Sequence, residues 1–250
     1  VTFSHNNSVT LLMTGQEKFD DLFKAVEQAR SSIHLEYFNF RNDSIAGLLF
    51  DLLAEKAKQG VKVRALYDGF GNSSNNKPLR KRHIKEIRAN GIEIYEYKPV
   101  KFPWVHAIFN RDHRKIMVID GQIAFTGGVN LADEYINKIV RFGYWKDSGV
   151  RLDGPGAASL ANIFLTFWKA KYPDEDLDAG CDLPAAVPVE TDCLVQPFAD
   201  TPVDREAVAK NVYLELINQA QKRLYICTPY LILDNDLLSC LRLAAKRGVD

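Results

Sequence analysis

The stretch HRKIMVIDGQIAFTGGVN, residues 113–130, decides both the fold and the candidate chemistry of this chain. Its middle predicts a β-hairpin in which residues 116–119 form an apolar strand, Asp120 and Gly121 form a tight turn, and residues 123–126 form the returning strand. A hairpin accounts for the apolar run and for the turn. It does not account for the basic residues at one end of the stretch, or for the glycines and asparagine at the other.

The two ends of this stretch are expected to lie side by side. His113 and Lys115 are two residues apart on a strand and therefore face the same side. The returning strand would bring Gly127, Gly128 and Asn130 close to them. Phosphoryl transfer needs a nucleophile and fixed donors for the phosphate oxygens, and this group of residues suits both needs. The alternative is that His113 is structural, as a lone histidine at a strand end more often is.

The composition is that of an ordinary globular protein. The chain has 250 residues, of which 46% are hydrophobic and 26% charged, with 32 basic and 32 acidic side chains. Because the formal net charge is zero, binding to nucleic acid or to a membrane would need a local patch. No run of about 18 apolar residues predicts a membrane span, and no signal segment opens the chain. The spacing of the cysteines predicts neither a zinc site nor a disulfide framework: Cys181, Cys193, Cys227 and Cys240.

Strand and helix patterns alternate along the first 170 residues, which predicts an α/β fold. The predicted helices cover residues 20–30, 43–59, 77–90 and 158–170. The predicted strands, beside the hairpin, cover residues 32–40, 61–67, 92–95 and 148–152, and the first of these alternates as a half-buried strand should. Residues 172–190 contain three prolines, several acids and no periodicity, so they predict a linker.

The segment after this linker is similar to the beginning of the chain. Residues 28–35 (QARSSIHL) match residues 219–226 (QAQKRLYI), and residues 58–61 (KQGV) match residues 246–249 (KRGV). The offset falls by three between the two matches, so the helical connection is three residues shorter in the second copy. The order of the matches predicts an internal duplication. The predicted organisation is a first module over residues 1–171, a linker over 172–190 and the beginning of a second module over 191–250.

The spacing H-x-K-x(4)-D-x(6)-G-G-x-N resembles the HKD motif of the phospholipase D superfamily, read here as His113, Lys115, Asp120, Gly127 and Asn130. The serine that usually follows the first glycine is replaced by Gly128. Six segments, one of which contains the start of the motif, resemble bacterial cardiolipin synthases in the same order: EYFNF, GVKVRALYDGFG, NRDHRKIMVIDG, YWKDSGVRLDGP, TPYLILDNDLL and AAKRGVD. The resemblance implies an α/β fold with a phospholipase D-like mixed β-sheet flanked by helices, internally duplicated and truncated in its second copy.

The resemblance also implies a mechanism. Two modules would each supply one HKD motif to a shared site. One histidine would form a phosphohistidine, while the other would protonate the leaving alcohol and then activate the incoming one. The implied activity is phosphatidylglycerol-dependent phosphatidyl transfer, with no cofactor and no metal ion. Because the chain starts at Val1 and stops at Asp250 within the second copy, the second histidine is expected beyond residue 250, so half of the site would be missing here.

The implied partners are an anionic phospholipid, a membrane surface, and the C-terminal module of a longer parent or a second copy of the chain. The parent is expected at a bacterial cell membrane, and no nucleic acid partner is expected. A phospholipase D-like phosphodiesterase or nuclease is the alternative function, and a non-catalytic binding fragment is a third.

The implied site contains His113 as the nucleophile and a phosphate-binding set formed by Lys115, Gly127, Gly128 and Asn130. Three carboxylates are considered beside this set. Asp120 belongs to the motif but is expected to fix the turn rather than to act as an acid or base. Asp147, in YWKD, matches the position where the family places a carboxylate against the catalytic histidine, unless it is an exposed acid at a strand end. Glu36 would line the same cleft or be a half-exposed strand residue.

Two segments before the motif have two interpretations each. Residues 77–88 contain six Lys and Arg residues and form either a solvated helix face or a docking surface for anionic headgroups. Residues 100–109 (VKFPWVHAIF) combine aromatic and cationic side chains. They are either core or an amphipathic lip through which a lipid enters.

Overall fold

The computed structural model describes residues 3–100, 110–173, 187–200 and 206–250. These residues form two compact units, Val1–Pro197 and Phe198–Asp250. The first unit contains an eight-stranded mixed sheet in the order β4-β3-β2-β5-β6-β7-β1-β8. Its strands are β1 Ser4–Leu12, β2 Ser32–Tyr37, β3 Lys62–Asp68, β4 Glu93–Tyr97, β5 Lys115–Ile119, β6 Ile123–Gly127, β7 Gly149–Asp153 and β8 Cys193–Val195.

Strands β2, β3 and β4 run parallel, and the other neighbouring pairs are antiparallel. The helices of the first unit are α1 Gly15–Glu27, α2 Ser44–Lys58, α3 Gly69–Ser73, α4 Lys81–Ala89 and α5 Pro155–Lys171. The predicted α/β class with a mixed sheet flanked by helices is therefore confirmed. Helices α1, α2 and α5 correspond to the predictions over residues 20–30, 43–59 and 158–170.

The predicted hairpin is formed by β5 and β6, in which Ile119 pairs with Ile123. Its turn residues Asp120 and Gly121 both adopt positive φ, 52° and 64°. Two such residues suit a two-residue turn that follows the right-handed twist of the strands. The hairpin occupies the middle of the sheet because β5 also pairs with β2 and β6 with β7.

Two apolar layers cover the sheet. On one face, Leu22 of α1 and Leu49 of α2 pack with inward residues of the central strands such as Leu35 and Met117. On the other face, α5 packs against Ile116 and its neighbours. Because both faces are covered, β2 and β5 are buried at every residue, as central strands of α/β proteins usually are.

Two expectations about the elements are wrong, and one strand was missed. Strand β2 is buried at every position rather than at alternate ones, because helices cover both faces of the sheet. Helix α4 begins at Lys81 rather than at residue 77, because Pro78 bridges to Arg41 in extended conformation. Strand β1 was not predicted: only Asn7 and Leu12 of it are buried, so the sequence carries no clean alternation.

The predicted linker, residues 172–190, lies mostly outside the described residues. Just after it, β8 pairs with β1, so residues 193–195 complete the sheet of the first unit although the sequence suggested the second module.

The second unit contains α6 Val208–Gln219 and α7 Asn235–Lys246. Its helix α7 matches α2 at both ends. Asp43 caps α2 by accepting from the amide of Ala46, and Asp234 caps α7 by accepting from the amide of Leu237. Gly60 and Gly248 follow the two helices with φ of 92° and 87°. The helices have 15 and 12 residues, which is the three-residue difference expected from the sequence offsets.

The main-chain pairing beside these helices also repeats. The amide of Lys62 donates to the carbonyl of Ser31 at 2.8 Å, and the amide of Asp250 donates to the carbonyl of Lys222 at 2.9 Å. By the offsets of the two sequence matches, residues 222 and 250 are the equivalents of residues 31 and 62. The internal duplication remains a prediction, and these equivalent bonds favour it.

Candidate active site

The topology brings one end of each of six strands to the same end of the sheet. Strands β2 and β3 end there, β5 begins there because it runs antiparallel to β2, and β6 ends there beside the start of β7. Tyr37 pairs with Lys115, and Gly127 pairs with Gly149. Strand β1 also ends at this edge, since Leu12 pairs with Gly149. Carboxyl ends of parallel strands are where ligands bind in open α/β sheets.

His113 lies two residues before the start of β5, at this end of the sheet, and is partly exposed. Its ring packs against Phe38, with centroids 4.7 Å apart. Partial burial lowers the pKa of His113, and the nearby Lys115 cation lowers it further, while the Asp112 and Asp68 carboxylates oppose the shift. A lowered pKa favours the neutral imidazole, which is the nucleophilic form.

Lys115 is nearly fully buried, with 5% of its surface exposed. Its ammonium group donates a hydrogen bond of 2.5 Å to the backbone carbonyl of His113 and lies 5.6 Å from the ring of Phe38. Burial lowers the pKa of Lys115 to about 8, against the attraction of Asp112 and Asp147. The side chain is therefore still largely cationic at neutral pH. The predicted adjacency of His113 and Lys115 at one strand end is present.

The turn that follows β6 lies at the same end of the sheet as Lys115. Gly127 has a φ of 133°, and a Cβ at this position would lie 2.6 Å from the carbonyl oxygen of Ser148, so only glycine fits. A Cβ at Gly128 would collide with the carboxylate of Asp147. The space of the usual serine side chain is thus occupied by Asp147.

Asn130 is buried at the end of this turn. Its amide nitrogen donates to the hydroxyl of Tyr135 at 2.7 Å, and its amide oxygen has no hydrogen-bond partner within the described residues. Part of the donor capacity expected for a phosphate is therefore used by Tyr135.

Asp147 follows neither of its two predicted alternatives. Its carboxylate accepts from the amide of Ser148 at 2.8 Å and from the indole of Trp145 at 3.4 Å, and it makes no hydrogen bond to His113. It does act electrostatically on Lys115, whose pKa it raises. The carboxylate therefore lies against the glycine turn and the buried cation rather than against the imidazole.

The structure places Asp120 at the opposite edge of the sheet, beyond the five-residue strand β5, which is about 16 Å long. Its carboxylate accepts from the amides of Arg30, Ser31 and Ser32 at 2.8–2.9 Å and from the hydroxyl of Ser31 at 2.9 Å. These bonds keep its pKa below the usual value although burial acts in the other direction. This position does not support a catalytic role for Asp120. It supports the expectation that Asp120 fixes the turn.

Glu36 is not half-exposed, and it lies on the face of the sheet opposite to Lys115. It points to the α5 face of the sheet, is fully buried, and forms an ion pair of 2.7 Å with Arg114. Burial raises its pKa, and the neighbouring Asp112 raises it further. Arg114 in turn stacks on Phe167 of α5 at 3.8 Å.

Sequence reasoning missed Lys18 in α1. Its side chain is fully buried and its ammonium group donates a 3.0 Å hydrogen bond to the carbonyl of Val129, within the turn between Gly128 and Asn130. Burial lowers the pKa of Lys18 to about 7, and Asp147 raises it while Lys115 lowers it further. The available signal was a lysine at a position of α1 that the apolar periodicity assigns to the core.

Sequence reasoning also missed two carboxylates near His113. Asp112 is buried and accepts from Arg114 at 2.9 Å, and its amide donates to Asp68 at 2.9 Å. Asp68 is fully buried at the end of β3 and forms an ion pair of 3.2 Å with Arg111. The signal for Asp68 was its position at the carboxyl end of a predicted parallel strand.

The two segments before the motif remain open or lie outside the described residues. The candidate lip, residues 100–109, lies outside the described residues except for Val100. The six basic residues of 77–88 are exposed, which both of their interpretations require: Lys77, Arg80, Lys81, Arg82, Lys85 and Arg88.

Within the described residues, no helix is both long and apolar enough to cross a bilayer. The same residues contain no cluster of three or more His, Cys, Asp or Glu side chains that could hold a metal ion.

Known proteins are similar to this chain in sequence and in fold. Residues 22–143 match the family model described as cardiolipin synthase, PLD-like domain. A cardiolipin synthase from Alkalihalophilus pseudofirmus is 38% identical over 99% of this chain and 48% of its own length. A Streptococcus mutans protein without an assigned function is 42% identical over 98% of the chain and 52% of its own length. The chain thus spans about half the length of the curated relatives it matches.

Among solved structures, the phosphatidylserine synthase of Haemophilus influenzae matches 96% of this chain and 60% of its own chain, with a TM-score of 0.72 and 17% identity. This likeness concerns the fold alone. The motif spacing, the sheet that brings its two ends together and the matched family model have one common explanation: the chain belongs to the phospholipase D superfamily, with similarity to its cardiolipin synthases.

Proposed function

We propose that the chain carries the nucleophile-bearing half of a cardiolipin synthase, which transfers a phosphatidyl group from phosphatidylglycerol through a phosphohistidine. Support for the reaction class comes from His113 and Lys115, which lie together at one end of β5 with both side chains against the ring of Phe38. Support for the lipid comes from the relatives named cardiolipin synthase, which the chain matches over nearly its whole length.

In the proposed first step, an imidazole nitrogen of His113 attacks the phosphorus of the donor phosphodiester. A nitrogen–phosphorus bond forms as the bond from phosphorus to the leaving glycerol oxygen breaks, and that oxygen takes a proton from a second group. In the second step, an incoming alcohol loses its proton to the same group and attacks phosphorus, which releases His113. Atoms and charges balance without a cofactor.

Lys115 carries the electrostatic part of the proposal. Its cation is held by the carbonyl of His113 at 2.5 Å, so it lies beside the nucleophile before any substrate arrives. Such a preorganised charge stabilises the oxygens of a phosphoryl transition state without reorganisation during the reaction. The lowered pKa of His113 acts in the same direction because it increases the neutral fraction at pH 7. This pair is the observation on which the proposal mainly rests.

The proton donor of the first step is proposed to come from a second HKD motif, supplied by the remainder of a longer parent or by a second copy of the chain. Within this proposal, Asp147 and Lys18 hold the turn of Gly127–Asn130 beside the cation, and Asp120 fixes the far end of the hairpin.

A test can separate the nucleophile from the missing proton donor. A phosphodiester with a p-nitrophenyl leaving group needs no proton donor, because the leaving group departs as a stabilised anion. We expect the 250-residue chain to release one equivalent of p-nitrophenolate from such a diester and to retain the phosphoryl group on His113. The adduct should be stable in base and labile in acid, and mass spectrometry of the digest should locate it.

The variant His113→Ala should form no adduct, whereas His83→Ala, at a histidine of α4 away from the motif, should behave like the unchanged chain. Turnover of phosphatidylglycerol should require the longer parent. Adduct formation on a residue other than His113 would contradict the proposal, and so would DNA cleavage by the parent without any lipid turnover.

A further inference from the structure

An exposed apolar loop joins the two sides of the candidate site. It covers residues 138–146 and connects the short 3-10 helix Asp133–Ile136, which follows Asn130, to Asp147. Its side chains Val140, Phe142 and Tyr144 are 71%, 72% and 72% exposed. We name this segment the 138–146 loop.

The base of this loop is fixed. Asn137 adopts a φ of 57°, accepts from the amide of Trp145 at 2.6 Å and donates to its carbonyl at 3.1 Å. Trp145 also packs edge-on against Tyr135, with centroids 4.9 Å apart. Two side-chain bonds and a ring contact therefore close the loop at its neck, and the apolar residues between them project from a fixed position.

The charges of the loop all have the same sign. Residues 138–146 contain Lys138, Arg141 and Lys146 and no acidic residue. The guanidinium of Arg141 lies 4.8 Å from the ring centroid of Phe142, so a cation and an aromatic ring project together. Aromatic and aliphatic side chains among cations are the composition of segments that lie at the boundary between lipid headgroups and acyl chains.

The chain as a whole has no net charge, so this local cationic character is not a consequence of composition. The neck also gives the loop its relation to the chemistry, because Tyr135 holds Asn130 at 2.7 Å and Trp145 donates to Asp147 at 3.4 Å. A ligand or surface that binds the loop therefore lies near the end of the sheet that carries His113 and Lys115.

We propose that the 138–146 loop inserts into the surface of a bilayer that contains anionic phospholipid and so presents the headgroup layer to His113. The proposal rests on the proposed function, in that the membrane is taken as the source of the phosphodiester. The apolar residues supply burial at the boundary of the acyl chains, and the cations supply the preference for anionic lipid.

Vesicle partition of the 250-residue chain tests the proposal. We expect binding to vesicles of phosphatidylglycerol and weaker binding to vesicles of phosphatidylcholine, measured by flotation at low salt. The double variant Phe142→Ser/Tyr144→Ser should lower the partition coefficient at least tenfold, since burying an aromatic side chain contributes about 1.5–3 kcal/mol, or roughly ten- to hundredfold. Arg141→Gln should lower it about fivefold on anionic vesicles only.

The matched control is Phe3→Ser/Leu48→Ser, which removes two side chains that are each 60% exposed elsewhere in the first unit. It should leave the partition coefficient unchanged. Insertion itself is measured with Tyr144→Trp and Leu48→Trp in vesicles of brominated phosphatidylglycerol. Fluorescence at position 144 should be quenched more strongly than at position 48.

Failure of the loop proposal is distinguishable from failure of the proposed function. His113→Ala should bind vesicles normally while forming no adduct, and Phe142→Ser/Tyr144→Ser should form the adduct normally with a water-soluble diester. Vesicle binding that is absent, or equal in the loop and control variants, would overturn the loop proposal. The same conclusion would follow if the loop variants changed only self-association or retention of DNA.

Discussion

The ammonium group of Lys18 donates a 3.0 Å hydrogen bond to the backbone carbonyl of Val129, at the centre of the turn that the HKD spacing brings beside His113. A fully buried cation on α1 therefore holds a loop more than 100 residues away in the chain. Because burial disfavours the charged form, this contact couples the candidate site to pH.

Lys18→Met should remove one pH-dependent part of the stability. Burial lowers the pKa of Lys18 in the folded chain to about 7, whereas a solvent-exposed lysine has a pKa of 10.5. Between these values the unfolded chain binds the additional proton, so the free energy of unfolding rises with pH, by about 2 kcal/mol from pH 7 to pH 9 for this group. Urea unfolding at the two pH values measures the rise.

Lys24→Met is the control, since Lys24 is exposed on the same helix. It should keep the rise that Lys18→Met lacks, and Lys115 remains in both variants. If the free energy of unfolding rose equally with pH in the unchanged chain and in both variants, the lowered pKa of Lys18 would be contradicted. Lys18→Met should also slow adduct formation with the activated diester, because the turn loses its hydrogen bond.

Lys115→Gln should raise the pKa of His113. The Lys115 cation is one of the causes that lower this pKa, and glutamine removes the charge while nearly keeping the length of the side chain. Histidine titration by nuclear magnetic resonance measures the change. Adduct formation should fall by about 10²–10³ through loss of transition-state charge stabilisation. Lys24→Gln should alter neither quantity, and an unchanged His113 titration in Lys115→Gln would refute the electrostatic link.

Gly128→Ala should be destabilising through one specific neighbour. The added Cβ would collide with the Asp147 carboxylate, which must rotate away from its bonds with Ser148 and Trp145. We expect a cost of about 1–2 kcal/mol. The same change in an Asp147→Ala background should cost clearly less, with a coupling energy of about 1 kcal/mol in a double-mutant cycle. Strict additivity of the two changes would show that they do not meet.

Asp120→Ala should affect stability and not chemistry. The change removes the acceptor of four hydrogen bonds from residues 30–32, at a cost of about 2–3 kcal/mol. Its φ of 52° adds strain for alanine, so Asp120→Asn, which tolerates this conformation, should cost less. Asp51→Ala, at an exposed position of α2, is the control. Adduct yield per folded molecule should be unchanged, and a well-folded Asp120→Ala protein without adduct would restore a catalytic part for Asp120.

The sequence by itself determined those features that depend on neighbours along the chain. Alternation and turn residues located the β5–β6 hairpin, and helical periodicity and Asp43 located α2. Each of these follows from local backbone geometry, which a single segment specifies. The same local pattern could not reveal β1, because a strand near the edge of the sheet buries few of its side chains.

Only the tertiary structure decided which side chains share the site. The motif contains Asp120, yet the length of β5 separates it from His113, and its partners are the amides before β2. Lys18 carries no motif, yet docking of α1 buries it beneath the turn at Val129. Glu36 alternates like a surface residue, but α5 covers its face and Arg114 neutralises it. Burial and charge pairing arise when distant segments exclude water together, and no spacing along the chain records which segments will meet.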